Sequence, residues 1–425
     1  MITAVVGINW GDEGKGRMVD LLCAGYDIVA RYQGGNNAGH TVVNDMGKFA
    51  LNLIPCGIFR AGIVNVLGTG MVIDPEHLWN EIETLRARGA EITPDNLKVS
   101  EKAIICMPYH RTLDVLEEDR LGANAQGSTR RGIAPVYSDK YHRKALRVGD
   151  ALRADTLRGK VETVAGFKSV LMSGYGAGSV SVGDTLAWLG EFVGRLAPFV
   201  TNTESYLESA ASDGKNIMLE AQLGTLRDID FGIYPYTTSS TTLAAYGPIG
   251  AGIPGRRLDR VVGVMKAYSS SVGGGPFTVE MSGAEADALR EAGGEYGTAT
   301  GRPRRVGAFD CVASRFGVKM QGADTLALTK FDVLSYMERI PVCVAYDIGG
   351  ARVTDFPTGD ELEAAKPVYE YLPGFGTDIS GCRSAAELPS AARDYIGFIE
   401  NAVGARIQYV SVGPGRDDYF IKCEV

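Results

Sequence analysis

At 425 residues and a formal net charge of -8, the chain can bury a large core. It is too acidic for a nucleic-acid or anionic-membrane surface to be its main partner. Apolar residues at 45% and charged residues at 22% fit a soluble globular protein, with no basic-then-apolar leader and no membrane-spanning apolar run. Seven cysteines, an odd number without a Cys-x-x-Cys pair, predict thiols in a reducing compartment and hence a cytoplasmic protein.

The apolar, β-branched residues 2–6 predict a buried strand. Gly7-Ile8-Asn9-Trp10-Gly11-Asp12-Glu13-Gly14-Lys15-Gly16-Arg17 joins it to Met18, Val19, Leu21 and Leu22, which recur at helical spacing. Glycines at a helix N-terminus bring unpaired N–H groups and the positive dipole end close to an anion, and Lys15 adds a point charge. A phosphate loop accounts for this better than a turn with one exposed lysine. It is not a Walker A motif: Gly7 lies too far from Gly14, and Gly16 stands where the Mg2+-binding hydroxyl belongs. Asp12 is therefore the carboxylate at hand for a metal. A predicted strand at 27–32 then leads into Gln33-Gly34-Gly35-Asn36-Asn37-Ala38-Gly39-His40-Thr41, where small residues leave one of only four histidines reachable.

Trp10-Gly11-Asp12-Glu13-Gly14-Lys15-Gly16 followed by Gly35-Asn36-Asn37-Ala38-Gly39-His40-Thr41 resembles the adenylosuccinate synthetase family, GTP-dependent ligases that join IMP to L-aspartate. The resemblance implies Asp12, His40 and Lys15 as catalytic groups and a 6-phosphoryl-IMP intermediate. It implies Mg2+ held by Asp12 and the Gly39 carbonyl. GTP would meet Gly11, Asp12, Glu13, Gly14, Lys15, Gly16, Arg17, Gly39, His40 and Thr41, while Asn37, Ala38, Gly39 and His40 would also face IMP.

Strand-like runs recur at 64–68, 217–219, 261–265, 326–329 and 342–346, with helical patterns between several of them. One such helix opens at Asp74-Pro75 with a cap and an N1 proline and closes at Gly89. This alternation predicts an α/β fold: a mostly parallel, doubly wound central sheet with flanking helices, P-loop-NTPase-like, carrying helical insertions. Ligands should gather at the carboxyl ends of its strands. We read residues 1–425 as one large domain, with about 120–215 a largely helical insertion on the dimer and IMP side. Trp79 and Trp188 read as core-packing or surface residues.

Gly127-Ser128-Thr129-Arg130-Arg131-Gly132-Ile133-Ala134-Pro135, followed by Lys140, His142, Arg143, Lys144 and Arg147, concentrates positive charge in an acidic chain. A solvated basic face is one reading; a phosphate monoester site is the other. The resemblance implies that Thr129 contacts the IMP phosphate and that Arg143 reaches the partner's IMP site across a homodimer interface. Arg130 and Ala134 replace glycines usual in the family. Gln222 and Thr238, in a hydroxyl- and amide-rich stretch, match IMP-binding positions; Leu223 shifts the usual order by one residue, and Thr241 replaces an asparagine.

Gly297-Thr298-Ala299-Thr300-Gly301-Arg302-Pro303-Arg304-Arg305 packs three arginines into four residues, whose repulsion predicts an anion among them. By resemblance, Thr298, Ala299, Thr300, Gly301, Arg302 and Arg304 would bind aspartate, with Arg302 reaching IMP and Arg304 the GTP. Ala299 and Pro303 depart from the family pattern. Thr329-Lys330-Phe331-Asp332 resembles a guanine signature, in which a carboxylate accepts from N1–H and N2–H. Ser411-Val412-Gly413 would close the GTP-binding loop. Two other readings stand beside the IMP ligase: a relative acting on a guanylate-type monophosphate, and a non-catalytic GTP-binding protein.

Overall fold

The computed structural model describes residues 1–297 and 301–422. A ten-stranded sheet is built from β1 (Ile2–Gly7), β2 (Ile28–Arg31), β3 (Val64–Leu67), β4 (Leu97–Ser100), β5 (Val200–Thr201), β6 (Ile217–Glu220), β7 (Arg260–Lys266), β8 (Thr325–Thr329), β9 (Arg406–Ser411) and β10 (Tyr419–Ile421). Their spatial order is β10-β9-β8-β7-β1-β6-β2-β3-β4-β5. Every neighbouring pair is parallel except β9 with β10. All of β1 is buried. Ile2, Ala4 and Val6 feed the hydrophobic core on one face and Val5 the core on the other, the alternation of a strand covered on both sides. Strand order reverses at β1, so the loops at its carboxyl end line a crevice.

Helix Pro75–Ala87 is capped as its sequence predicts, Asp74 accepting from the His77 N–H at 3.1 Å. Residues 122–199 hold the helices Ile133–His142, Val148–Ala151, Ala154–Gly174 and Val182–Leu196. The run at 342–346 lies within strand Arg339–Ile348 of a second sheet, not the central one. It pairs antiparallel with Ala351–Val353 and Lys366–Pro373 and parallel with Phe309–Asp310. Gly349-Gly350, both at positive φ (60° and 88°), form the tight turn that folds this strand back on itself.

Helix Cys311–Gln321 supports the loop after β1. Ser314 Oγ accepts from Asn9 Nδ2 at 2.9 Å, and Gln321 Nε2 donates to Thr225 Oγ1 at 2.9 Å. Gly317 faces the Ile8 carbonyl so closely that an added Cβ would lie 2.1 Å from its oxygen. Asp310 caps this helix at the Ala313 N–H (3.0 Å) and accepts from the Tyr346 hydroxyl at 2.6 Å.

Burial pushes the Asp310 carboxyl up to about 6, against those hydrogen bonds. The folded chain thus holds this proton more tightly than the unfolded chain. Its stabilisation is complete below the ordinary aspartate range and is lost as pH rises to about 6. Relative to Asp310→Asn, the parent should lose about 3 kcal/mol over that window. Urea midpoints measured from acid to neutral pH check this, and parallel profiles for the two proteins would contradict it.

Candidate active site

The loop after β1 takes left-handed backbone at Gly11 (φ 101°), Asp12 (φ 60°) and Gly14 (φ 95°). Asp12 tolerates this conformation better than a β-branched residue would. Helix Lys15–Leu22 has no side-chain cap at Gly14, so the amides of its first turn face the crevice uncapped. Glu13 is buried, and its carboxylate accepts from Asn9 N (3.1 Å), Gly11 N (2.8 Å) and Lys15 Nζ (2.6 Å). The loop therefore already organises itself around an anion. An added Cβ at Gly16 would lie 2.6 Å from His40 Cβ and 3.2 Å from Cys56 Sγ. This glycine makes room for the histidine. The side chain of Arg17, which the resemblance puts at GTP, binds the Ser411 hydroxyl and the Gly413, Gly415 and Asp418 carbonyls. Its planar fork fastens the 411–418 loop to the helix.

His40 opens strand His40–Asn44 and is buried. Its Nδ1 lies 2.5 Å from Oε1 of Glu220, the last residue of β6. Glu220 also accepts from Cys56 N (2.8 Å) and Cys56 Sγ (3.1 Å). A carboxylate so surrounded can only accept from the ring, which puts the proton on Nδ1 and leaves Nε2 buried and without a hydrogen-bond partner among the described residues. Burial holds His40 below the ordinary histidine value, against the pull of Glu220. Sequence reasoning missed Glu220 and Cys56; the available signal was a glutamate ending the apolar run Ile217-Met218-Leu219. His40, Cys56 and Glu220 place three donor atoms within 4.8 Å of one another. They already satisfy each other, and a nitrogen-sulfur-oxygen set suits a softer ion than Mg2+.

The 33–41 turn and the β6 loop interlock. Gln33 Nε2 donates to the Gln222 carbonyl (2.8 Å), and Gln222 Nε2 donates to the Gly35 carbonyl (2.7 Å). Asn37 Oδ1 accepts from Gly35 N (3.1 Å), and the Ala38 carbonyl from Asn52 Nδ2 (3.1 Å). Gly39 is exposed and Thr41 half-buried. Among the described residues, Gln222 Oε1, Asn36 Oδ1 and Thr238 Oγ1 are buried without protein partners, as expected of groups that serve a polar ligand. Leu223 adopts φ 58° and packs 3.5 Å from where a Gly11 Cβ would stand. Thr241 is half-buried.

Asp114 pins the basic turn, accepting from Ser128 Oγ (2.6 Å) and Gly132 N (2.7 Å). Thr129 is exposed. Arg130 takes the left-handed φ of 57° that suits the usual glycine and pairs with Asp119 at 2.8 Å. Ala134 lies inside helix Ile133–His142, and Arg143 ends that helix with its side chain exposed.

Thr298, Ala299 and Thr300 lie outside the described residues. Gly301, Arg302 and Pro303 are exposed. The predicted arginine repulsion is met by protein carboxylates. Arg305 grips Glu280 through Nε (2.8 Å) and Nη2 (2.5 Å). Arg304 places Nη1 2.9 Å from Glu295 and Nε 3.1 Å from Asp12 Oδ2. Lys330 (φ 55°) binds the Gly293 carbonyl and lies 3.2 Å from Glu295. Phe331, expected at GTP, buries its ring against Phe375 and Tyr395, so only its backbone faces the 411 loop, donating to the Ser411 carbonyl at 3.1 Å. Burial raises the Asp332 carboxyl, against Arg17 and Lys330. Ser411 and Val412 are buried, and an added Cβ at Gly413 would meet Asp418 Oδ2 at 2.7 Å.

The adenylosuccinate synthetase profile matches residues 4–420. The chain is 45% identical over 419 residues to the adenylosuccinate synthetase of Frankia alni, covering 98% of each. It is 42% identical over 422 residues to that of Caldanaerobacter subterraneus subsp. tengcongensis, covering 99% of each. The solved structure of fully ligated adenylosuccinate synthetase from Plasmodium falciparum superposes with a TM-score of 0.93 at 35% identity over 99% of both chains. Cyanophage S-2L succinoaminodeoxyadenylate synthetase, bound to dGMP and dATP, shares the fold at a TM-score of 0.63 and 21% identity, over 100% of this chain and 95% of that one. With sequence and fold matched across nearly its whole length, the chain belongs to the adenylosuccinate synthetase family.

Proposed function

We propose that this protein joins L-aspartate to IMP with GTP, giving adenylosuccinate, GDP and phosphate through 6-phosphoryl-IMP. The observation that carries the reading is the Glu220-held His40 packed against Gly16, directly beside Lys15, at the end of the loop after β1 that also carries Asp12.

O6 of IMP is a poor leaving group, so it is phosphorylated before an amine displaces it. Asp12 takes the N1 proton, which makes O6 nucleophilic toward the γ-phosphoryl group. Lys15 and the first-turn amides stabilise the charge on that group, where most phosphoryl-transfer catalysis resides. Phosphate charge and the Glu220 carboxylate together favour the protonated imidazole, so Nε2 donates toward O6. Asp12 and the Gly39 carbonyl are hard oxygen donors that fit Mg2+, which would neutralise β- and γ-phosphate charge when bound. Gln222, Thr238 and the 37–39 turn orient IMP, and Thr129 binds its phosphate. Arg302 and Arg304 clamp aspartate with the 298–301 segment, and Asp332 reads guanine while the Lys330 stem covers it. The aspartate amine then attacks C6, and phosphate leaves with the original O6.

Arg143, exposed at a helix end, serves the IMP site of a second copy in a homodimer. The odd number of cysteines, without a Cys-x-x-Cys pair, supports a reducing, cytoplasmic location for the enzyme. The guanylate reading is not favoured, because identity of 42–45% lies with IMP ligases, whereas the phage enzyme shares the fold alone. A non-catalytic protein would have no use for His40 held by Glu220.

A turnover assay with Mg2+, GTP, aspartate and a panel of purine monophosphates should give product from IMP; product from a guanylate alone would replace this reading with the second. Asp12→Asn and His40→Asn should each lower kcat about 10²–10⁴-fold with an unchanged circular dichroism spectrum. Near-normal turnover in both would remove these roles. Mixing inactive Arg143→Ala and Asp12→Asn proteins should restore roughly a quarter of the parental sites, because half the dimers carry one intact site. Failure of the mixture to regain activity, despite subunit exchange, would contradict the shared site.

A further inference from the structure

We propose that Glu295 is a positioning residue whose buried carboxylate holds Arg304 at the mouth of the site and ties it to Lys330 of the base loop. The inference rests on the reading of those two loops given above. Glu295 is fully buried just beyond helix Gly283–Gly293, and its N–H bonds the Arg290 carbonyl (2.9 Å) across Gly294 (φ 57°). The helix end thereby fixes where this carboxylate points.

Oε1 accepts from Lys266 Nζ (2.7 Å), Tyr268 OH (2.5 Å) and Lys330 Nζ (3.2 Å), and Oε2 accepts from Arg304 Nη1 (2.9 Å). The Glu295 carbonyl also accepts from Arg304 N at 2.9 Å. A single carboxylate thus gathers cations from the end of β7, the loop after β8 and the arginine loop. Lys266 is buried and further held by Ser270 Oγ at 2.6 Å, so it stays where it is. Arg304 and Lys330 lie on loops; Arg304 moves if the negative charge is removed, and Lys330 is left with the Gly293 carbonyl alone. Among the described residues, the other carboxylate within reach of Arg304 is Asp12, 3.1 Å from its Nε. Without Glu295, Arg304 would close onto Asp12 and leave the position from which it meets aspartate.

Steady-state kinetics of the parent, Glu295→Gln, Arg304→Leu and the double variant test this assignment. Glu295→Gln should raise KM for aspartate about tenfold or more and raise KM for GTP, with KM for IMP little changed. The double variant should bind aspartate no more weakly than Arg304→Leu alone. A merely structural glutamate would lower kcat and the thermal midpoint at unchanged KM values, and that result overturns the proposal, as does simple additivity. If Glu295→Gln does not fold, Glu295→Asp keeps a charge near Lys266 but withdraws it from Arg304. KM for aspartate should still rise, and an unchanged value overturns the assignment. A parent that consumes no aspartate would overturn the reaction itself, whereas a parent that turns over with these KM values unmoved would overturn only the role of Glu295.

Discussion

Cations collected on one sheet edge to meet a triphosphate, a monophosphate and a dicarboxylate repel one another before any substrate arrives. Two unit charges at 4 Å in a partly screened site interact by about 4 kcal/mol. This chain answers with its own carboxylates. Glu13 holds Lys15, Glu220 holds His40, Glu280 holds Arg305, and Glu295 holds Lys266, Lys330 and Arg304. Glu13 and Glu295 are buried, so removing either would strand a buried cation at about 3–5 kcal/mol. The same carboxylates keep the cations aimed into the crevice that the parallel sheet opens beside β1.

Much of the frame was legible because it is written locally. The apolar run of β1, the glycines that follow it and the Asp74 cap each depend on neighbours a few residues away. The supporting acids were not legible, because their partners lie far along the chain. Glu220 meets His40 across 180 residues, a contact that only the parallel neighbours of β1 create. Spacing also says that two groups are close without saying where each points. Arg17 follows the phosphate loop yet turns to the 411–418 loop, and Phe331 sits within the guanine signature yet buries its ring. The strand at 342–346 was legible as a strand, but its place in the second sheet rests on pairing with Phe309–Asp310 and Lys366–Pro373, partners its own residues do not announce.

Departures from the family pattern keep the backbone shape that glycine would take. Arg130 and Leu223 both adopt left-handed φ. Such a residue costs about 1–3 kcal/mol unless its surroundings hold it there. Asp119 pairs with Arg130, and Asp114 fixes its turn. Leu223 fills the space against Gly11. In both places the altered side chain preserves the loop, which fits a retained reaction better than a changed one.

If O6 of the purine leaves as part of phosphate, IMP labelled with oxygen-18 at O6 and carried through one turnover with GTP, Mg2+ and aspartate should deliver its label to inorganic phosphate, with one adenylosuccinate formed for each GTP consumed. Label released to water, or GTP hydrolysed without incorporation of aspartate, would contradict this route.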